Sequence, residues 1–174
     1  MADDDQFMTF LKEPSFENFV RVRDLVVAHP AYDPYGNQLN EAMQLLDKSD
    51  WMGFIDKGRA LIPNFLLSPR FHLARSFALK QMGDEDSADM EAAMYVSCIE
   101  GIRSTGDGSE AKPWLVMRTL DEYDMIEQLG KKSAGQSLHK KDGRSLDRIQ
   151  CEDGTAYWFD VTDAFKKLEG KLKP

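Results

Sequence analysis

The chain has 174 residues, 42% of them apolar and 30% charged, with a formal net charge of −8 at pH 7. That balance excludes a disordered chain, and the length suffices to bury a real core. No apolar run approaches the roughly 20 residues that a membrane-spanning helix needs, and the acidic start Met-Ala-Asp-Asp-Asp-Gln is unlike a secretory leader, so a cytoplasmic protein is expected.

The charge is unevenly spread. Residues 1–110 carry 19 acidic and 10 basic side chains, a balance of −9, whereas residues 111–174 carry 11 and 12, a balance of +1. An acidic front half disfavours nucleic acid, whose binding depends on Lys and Arg neutralising phosphates, and suits a basic protein partner. Cys98 and Cys151 have no Cys or His at metal-ligand spacing and are expected in the core.

Phe7, Phe10 and Leu11 make a short apolar face at helical spacing. After Pro14, Ser15 can cap a helix in which Phe16, Phe19, Val20, Val26 and Val27 form one stripe, ended by Pro30. The string Ala31-Tyr32-Asp33-Pro34-Tyr35-Gly36-Asn37 reads as consecutive turns. Leu39 to Lys48 continues as a helix. Ser49-Asp50 then starts another that breaks near Pro63, and Ser68-Pro69 starts a third that stops at Gly83. Asp84-Glu85-Asp86 suits the positive end of a last helix, which carries the chain to Gly101. Ala60-Leu61 before Pro63, and Gly83-Asp84 before Ala88, match fragments of the tetratricopeptide pattern, so helical hairpins of that kind are expected.

Residues 101–113, with three glycines and a proline, read as a hinge between a helical half (1–103, with 104–113 as the connector) and a β half (114–174). Trp114 to Met117 is a short strand. Thr119 and Glu122 fit a capping box for a short helix that buries Met125, Ile126 and Leu129. Asp142-Gly143 joins strands 137–141 and 144–152 in a hairpin. The uneven spacing of Leu146, Ile149 and Cys151 suggests a bulge or turn near Asp147. Asp153-Gly154 turns into a strand with Tyr157, Phe159 and Val161 on one face and Trp158 on the other, and a tail helix carries Phe165 and Leu168. The expected class is α+β: helical hairpins followed by a three- to four-stranded antiparallel sheet with one helix lodged between its first and second strands.

Thr105-Gly106-Asp107-Gly108-Ser109, Glu122-Tyr123-Asp124, Leu129-Gly130, Gln136-Ser137-Leu138 and Phe159-Asp160-Val161 together resemble the C-terminal half of a bacterial family of unknown function. The helical half, with Tyr32-Asp33-Pro34-Tyr35, is similar to the front of that family. The resemblance covers most of the chain. It implies a tetratricopeptide-like front and a small sheet behind, and it implies no activity and no catalytic residue. Many members look exported, a feature this chain does not share at its start.

Signatures of chemistry are sparse. His29, His72 and His139 are far apart and fit no metal or triad spacing. Gly106-Asp107-Gly108-Ser109 lacks the Lys and following helix of a phosphate loop and the alternating carboxylates of a calcium loop, and reads as a turn. The basic group Lys131, Lys132, Lys140, Lys141, Arg144 and Arg148 lacks interleaved aromatics, so it reads as a solvated sheet edge. No catalytic residue, cofactor or metal is expected, and neither nucleic acid nor membrane is an expected partner. Three readings follow: a non-enzymatic protein-interaction module using the helical groove or the sheet edge; an immunity or inhibitor protein that neutralises a basic toxin; and a ligand-binding or enzymatic domain at the junction of the halves. For the last, Tyr32, Asp33, Tyr35, Asp107, Arg118, Tyr123 and His139 are the binding candidates.

Overall fold

The computed structural model describes residues 2–172, and side chains over 5–170. Six helices come first: α1 (Ala2–Lys12), α2 (Phe16–Ala28), α3 (Gln38–Asp47), α4 (Trp51–Arg59), α5 (Pro69–Gln81) and α6 (Glu85–Ser104). They are followed by β1 (Trp114–Leu115), α7 (Thr119–Gln128), β2 (Ser133–Lys141), β3 (Arg144–Cys151), β4 (Ala156–Asp160) and α8 (Thr162–Leu172). The class is α+β.

Local chemistry sets several helix starts. Asp50 accepts from the Gly53 amide at 3.0 Å and Asp84 from the Ser87 amide at 3.1 Å, so each carboxylate satisfies an orphan donor at the positive end of its helix. Helix α6 does not stop at Gly101; it runs on to Ser104. Gly101 is a packing glycine. A Cβ there would lie 2.5 Å from the Phe19 ring and 2.8 Å from the Phe10 ring, so its absence lets α1 and α2 close onto α6.

The sheet has the order β1-β4-β3-β2. The β2–β3 and β3–β4 pairs are antiparallel, as expected, but β1 pairs with β4 in parallel, so the sheet is mixed. The cause is the path of the chain. It leaves β1 through α7 and returns beside it only with its last strand. Nor is there a bulge at Asp147. The β3 register runs unbroken from Arg144 to Gln150 against β2, and the irregularity falls between Ser133 and Gly135 of β2. Asp147, Ile149 and Cys151 alternate onto one face, and Leu146 is buried on the other.

Two apolar clusters hold the molecule. The larger joins α1, α2 and α6 to the inner face of the sheet through Phe10, Phe19, Cys98, Ile102, Ile149 and Phe159. The second belongs to α3, α4 and α5, with Leu39, Phe54, Phe65, Phe71 and Ala78 at its centre. Both cysteines are free and buried, and burial pushes the Cys98 thiol up, away from the reactive thiolate. Buried His72 ties α5 to α6: its ring nitrogens lie 2.7 Å from the Leu66 carbonyl and 2.7 Å from Glu91, whose other oxygen accepts from Arg75. Burial opposes the charge on Glu91, yet these hydrogen bonds hold its carboxyl below the usual range. Among the described residues no helix is long and apolar enough to cross a membrane.

Candidate functional site

Helix α7 is the junction between the helices and the sheet, and its first turns are acidic. Met125 and Ile126 are buried, and residues three and four positions earlier share their stripe. Those residues are Asp121 and Glu122, at 1% and 0% exposure. The expected capping box does not form. Thr119 is already the first helical residue, and Glu122 points inward with the stripe instead of back to the helix end. Asp121 supplies the polar closure, accepting from the Met117 amide at 3.1 Å.

Arg118, 2% exposed, lies 3.9 Å from Asp121, donates to the Asn64 carbonyl at 2.5 Å and covers the Phe65 ring at 4.2 Å. Asn64 in turn bonds the Asp33 backbone in both directions, at 3.0 and 3.3 Å. Tyr32 is buried and donates to the Met117 carbonyl at 2.6 Å. Burial pushes Asp121 up to about 7, with the Arg118 charge opposing. On the next turn Arg70 of α5 holds Asp124 through its Nε at 2.8 Å and its Nη2 at 2.7 Å.

On the sheet side, one amide bridges two carboxyls. Gln136 Nε2 donates to Asp147 Oδ2 at 2.6 Å and to Glu122 Oε2 at 3.2 Å, so those oxygens are no further apart than the sum of the two distances. Tyr123 donates to Gln136 Oε1 at 2.7 Å and fixes the orientation of the amide. Glu122 Oε1 is buried with no hydrogen-bond partner. Burial first, then the charges of Asp147 and Asp121, push Glu122 up to about 9, so it is neutral at pH 7 and its proton belongs on the unpartnered oxygen. Burial also raises Asp147, against the Gln136 hydrogen bond. The hydroxyls of Tyr35 and Tyr123 are raised by partial burial and by the charges of these same two carboxyls, and the Tyr123 hydroxyl is fastened to the bridging Gln136 amide.

Of the seven residues singled out from the sequence, Tyr123 is joined to this acid pair through Gln136, Tyr35 feels the charges of both its carboxyls, and Tyr32, Asp33 and Arg118 form the lattice around Asn64 and Met117. Asp107 and His139 lie apart from both. Asp107 is exposed and caps its own turn, accepting from the Ser109 amide at 2.9 Å. His139 sits on the opposite sheet face from Asp147, against Trp158 at 4.9 Å between ring centres and beside Ser137 at 2.9 Å.

A second feature lies on the outer side of α3, α4 and α5. Met43, Leu46, Trp51, Leu73 and Phe77 line an open, apolar groove of about 520 Å³, with Asp47 and Arg70 at its rim. Leu73 and Phe77 are half exposed, and the Phe77 ring meets Trp51 edge-on at 5.5 Å.

The family model for a domain of unknown function, DUF4919, matches residues 26–169. The chain belongs to this family. The matched span takes in the acid pair, the Asn64 lattice and the groove. It leaves α1 and most of α2 outside. No curated protein and no solved structure matches the chain.

Proposed function

We propose that this DUF4919 protein is a non-enzymatic interaction module that receives an apolar segment of a partner in the groove between α3, α4 and α5. One observation carries the reading: Leu73 and Phe77, four residues apart on α5, hold half of their surface in solvent beside Trp51 instead of in the core. An apolar surface that water must cover is relieved when a partner covers it. The front half of the chain taken as a whole, residues 1–110, has a balance of −9, which steers a basic partner toward it at long range. Consecutive helices packed through short loops are also the means by which tetratricopeptide stacks present grooves.

The test is capture from source-cell lysate by the tagged full chain and by the double variant Leu73→Asp/Phe77→Asp, at low and high salt. One stoichiometric partner, held by the unaltered chain, released by salt and lost in the variant, is the expected result. Equal capture by the folded variant overturns the reading.

A further inference from the structure

Four carboxyls crowd the first turns of α7, and the chain provides cations for two of them. Asp121 has Arg118 at 3.9 Å, and Asp124 has Arg70 at 2.7 Å. For Glu122 the neighbouring charges are those of Asp147 and Asp121, which are negative, and its direct partner is the neutral Gln136 amide. The basic group that acts on Asp147 is His139, whose ring is on the far face of the sheet. The missing element at this pair is a positive charge.

Three further features say what kind. Glu122 Oε1 is fully buried and has no hydrogen-bond partner, which leaves a strong polar atom for a ligand to satisfy. Tyr123 is hydrogen-bonded to the bridging Gln136, the Tyr35 hydroxyl feels the charges of both carboxyls, and aromatic rings with carboxylates are the surroundings that an organic ammonium group prefers. Among the described residues no group of three His, Cys, Asp or Glu side chains is placed to hold a metal ion, which disfavours a bare cation. Tyr35 at 42% exposure, and Leu138 at 44% directly across from Asp147, mark the side open to solvent.

We propose that Glu122 and Asp147, bridged by Gln136 and with Tyr123 fastened to that bridge, form a binding site for an alkylammonium group. The ammonium donates to Asp147 and to Glu122, and the proton of Glu122 leaves for solvent as its carboxylate forms. The same chemistry is offered by a free amine and by a lysine side chain of a partner protein. The site uses none of the residues that line the α3–α5 groove, so it stands whether or not that groove binds a partner.

The experiment is calorimetric titration of the full chain at pH 7 with putrescine and, separately, with N-acetyl-lysine-amide, each in two buffers of different ionisation enthalpy. Saturable binding with proton release is expected for at least one probe. Putrescine alone would identify a free amine as the ligand, and the lysine amide alone a partner's side chain. Glu122→Gln copies the shape and hydrogen bonding of the neutral acid, so the fold is retained while affinity drops about tenfold or more and the proton release disappears. Asp147→Asn is expected to weaken binding as much. Absence of saturable heat with both probes, or equal affinity in a folded Glu122→Gln protein, overturns the proposal.

Discussion

The hydroxyl of Tyr32 donates a 2.6 Å hydrogen bond to the main-chain carbonyl of Met117, so the turn after α2 is fastened to the turn that begins α7. Both ends of this bond are buried. Tyr32→Phe keeps the ring packed and leaves the Met117 carbonyl without its donor, an effect of about 1–3 kcal/mol. Urea denaturation followed by circular dichroism should show that loss with an unchanged slope.

Gly101→Ala opposes two effects in one substitution. Helix propensity favours alanine by about 1 kcal/mol in an α-helix interior. The new methyl would sit 2.5 Å from Phe19 and 2.8 Å from Phe10, two rings at 1% and 0% exposure with nowhere to retreat. Overpacking of this kind costs about 1–3 kcal/mol, so a net fall in stability is expected, measured as a lower thermal midpoint.

Arg118→Met would strand Asp121 in the core without its cation and remove the donor on the Asn64 carbonyl. Removing one member of a buried pair costs about 3–5 kcal/mol. The double variant Arg118→Met/Asp121→Asn should recover part of that loss, because no charge is then left buried. A double-mutant cycle in urea measures the recovery, and additive effects would show that the pair is not coupled.

Stability should fall as pH rises through neutrality. Burial raises Glu122 from an ordinary 4.5 to about 9, and Asp121 from 3.8 to about 7. The folded chain therefore keeps protons that the unfolded chain has released, so these groups favour folding fully at low pH and lose that effect between the ordinary carboxyl range and about 9. Each group contributes a slope on the order of 1 kcal/mol per pH unit within its window. Glu122→Gln should flatten the part of the profile above pH 7, and an unaltered profile in that variant would contradict the assignment.

Much of the fold could be read from the sequence because its signals are local. Proline and glycine punctuation, apolar stripes and Asp-Gly turns depend on near neighbours, and they located the helices and both hairpins. The parallel β1–β4 pairing could not be read, since it is decided by which edge of the sheet the chain reaches last. The acid pair was half legible. Tyr35 and Tyr123 stood out as aromatic residues among turns and acids, whereas Glu122 was absorbed into a local capping pattern. The signal that reveals it is periodicity: Asp121 and Glu122 fall on the stripe of Met125 and Ile126, as Asp147 falls on the inward alternation of Ile149 and Cys151. An acid on an apolar stripe is a buried acid.

The two apolar clusters are interleaved along the chain. Helices α1 and α2 join α6 and the sheet, and the block α3–α5 that comes between them in sequence has a cluster of its own. Helices α3 and α4 can therefore loosen while α5 stays held to α6 through His72, Arg75 and Glu91, and while Phe10 and Phe19 stay in the cluster they share with Ile149 and Phe159. Amides of α3 and α4 should exchange with solvent at a lower free energy than those of β3 and β4. Adaptability at the groove is thus separated from the part of the molecule that keeps it folded.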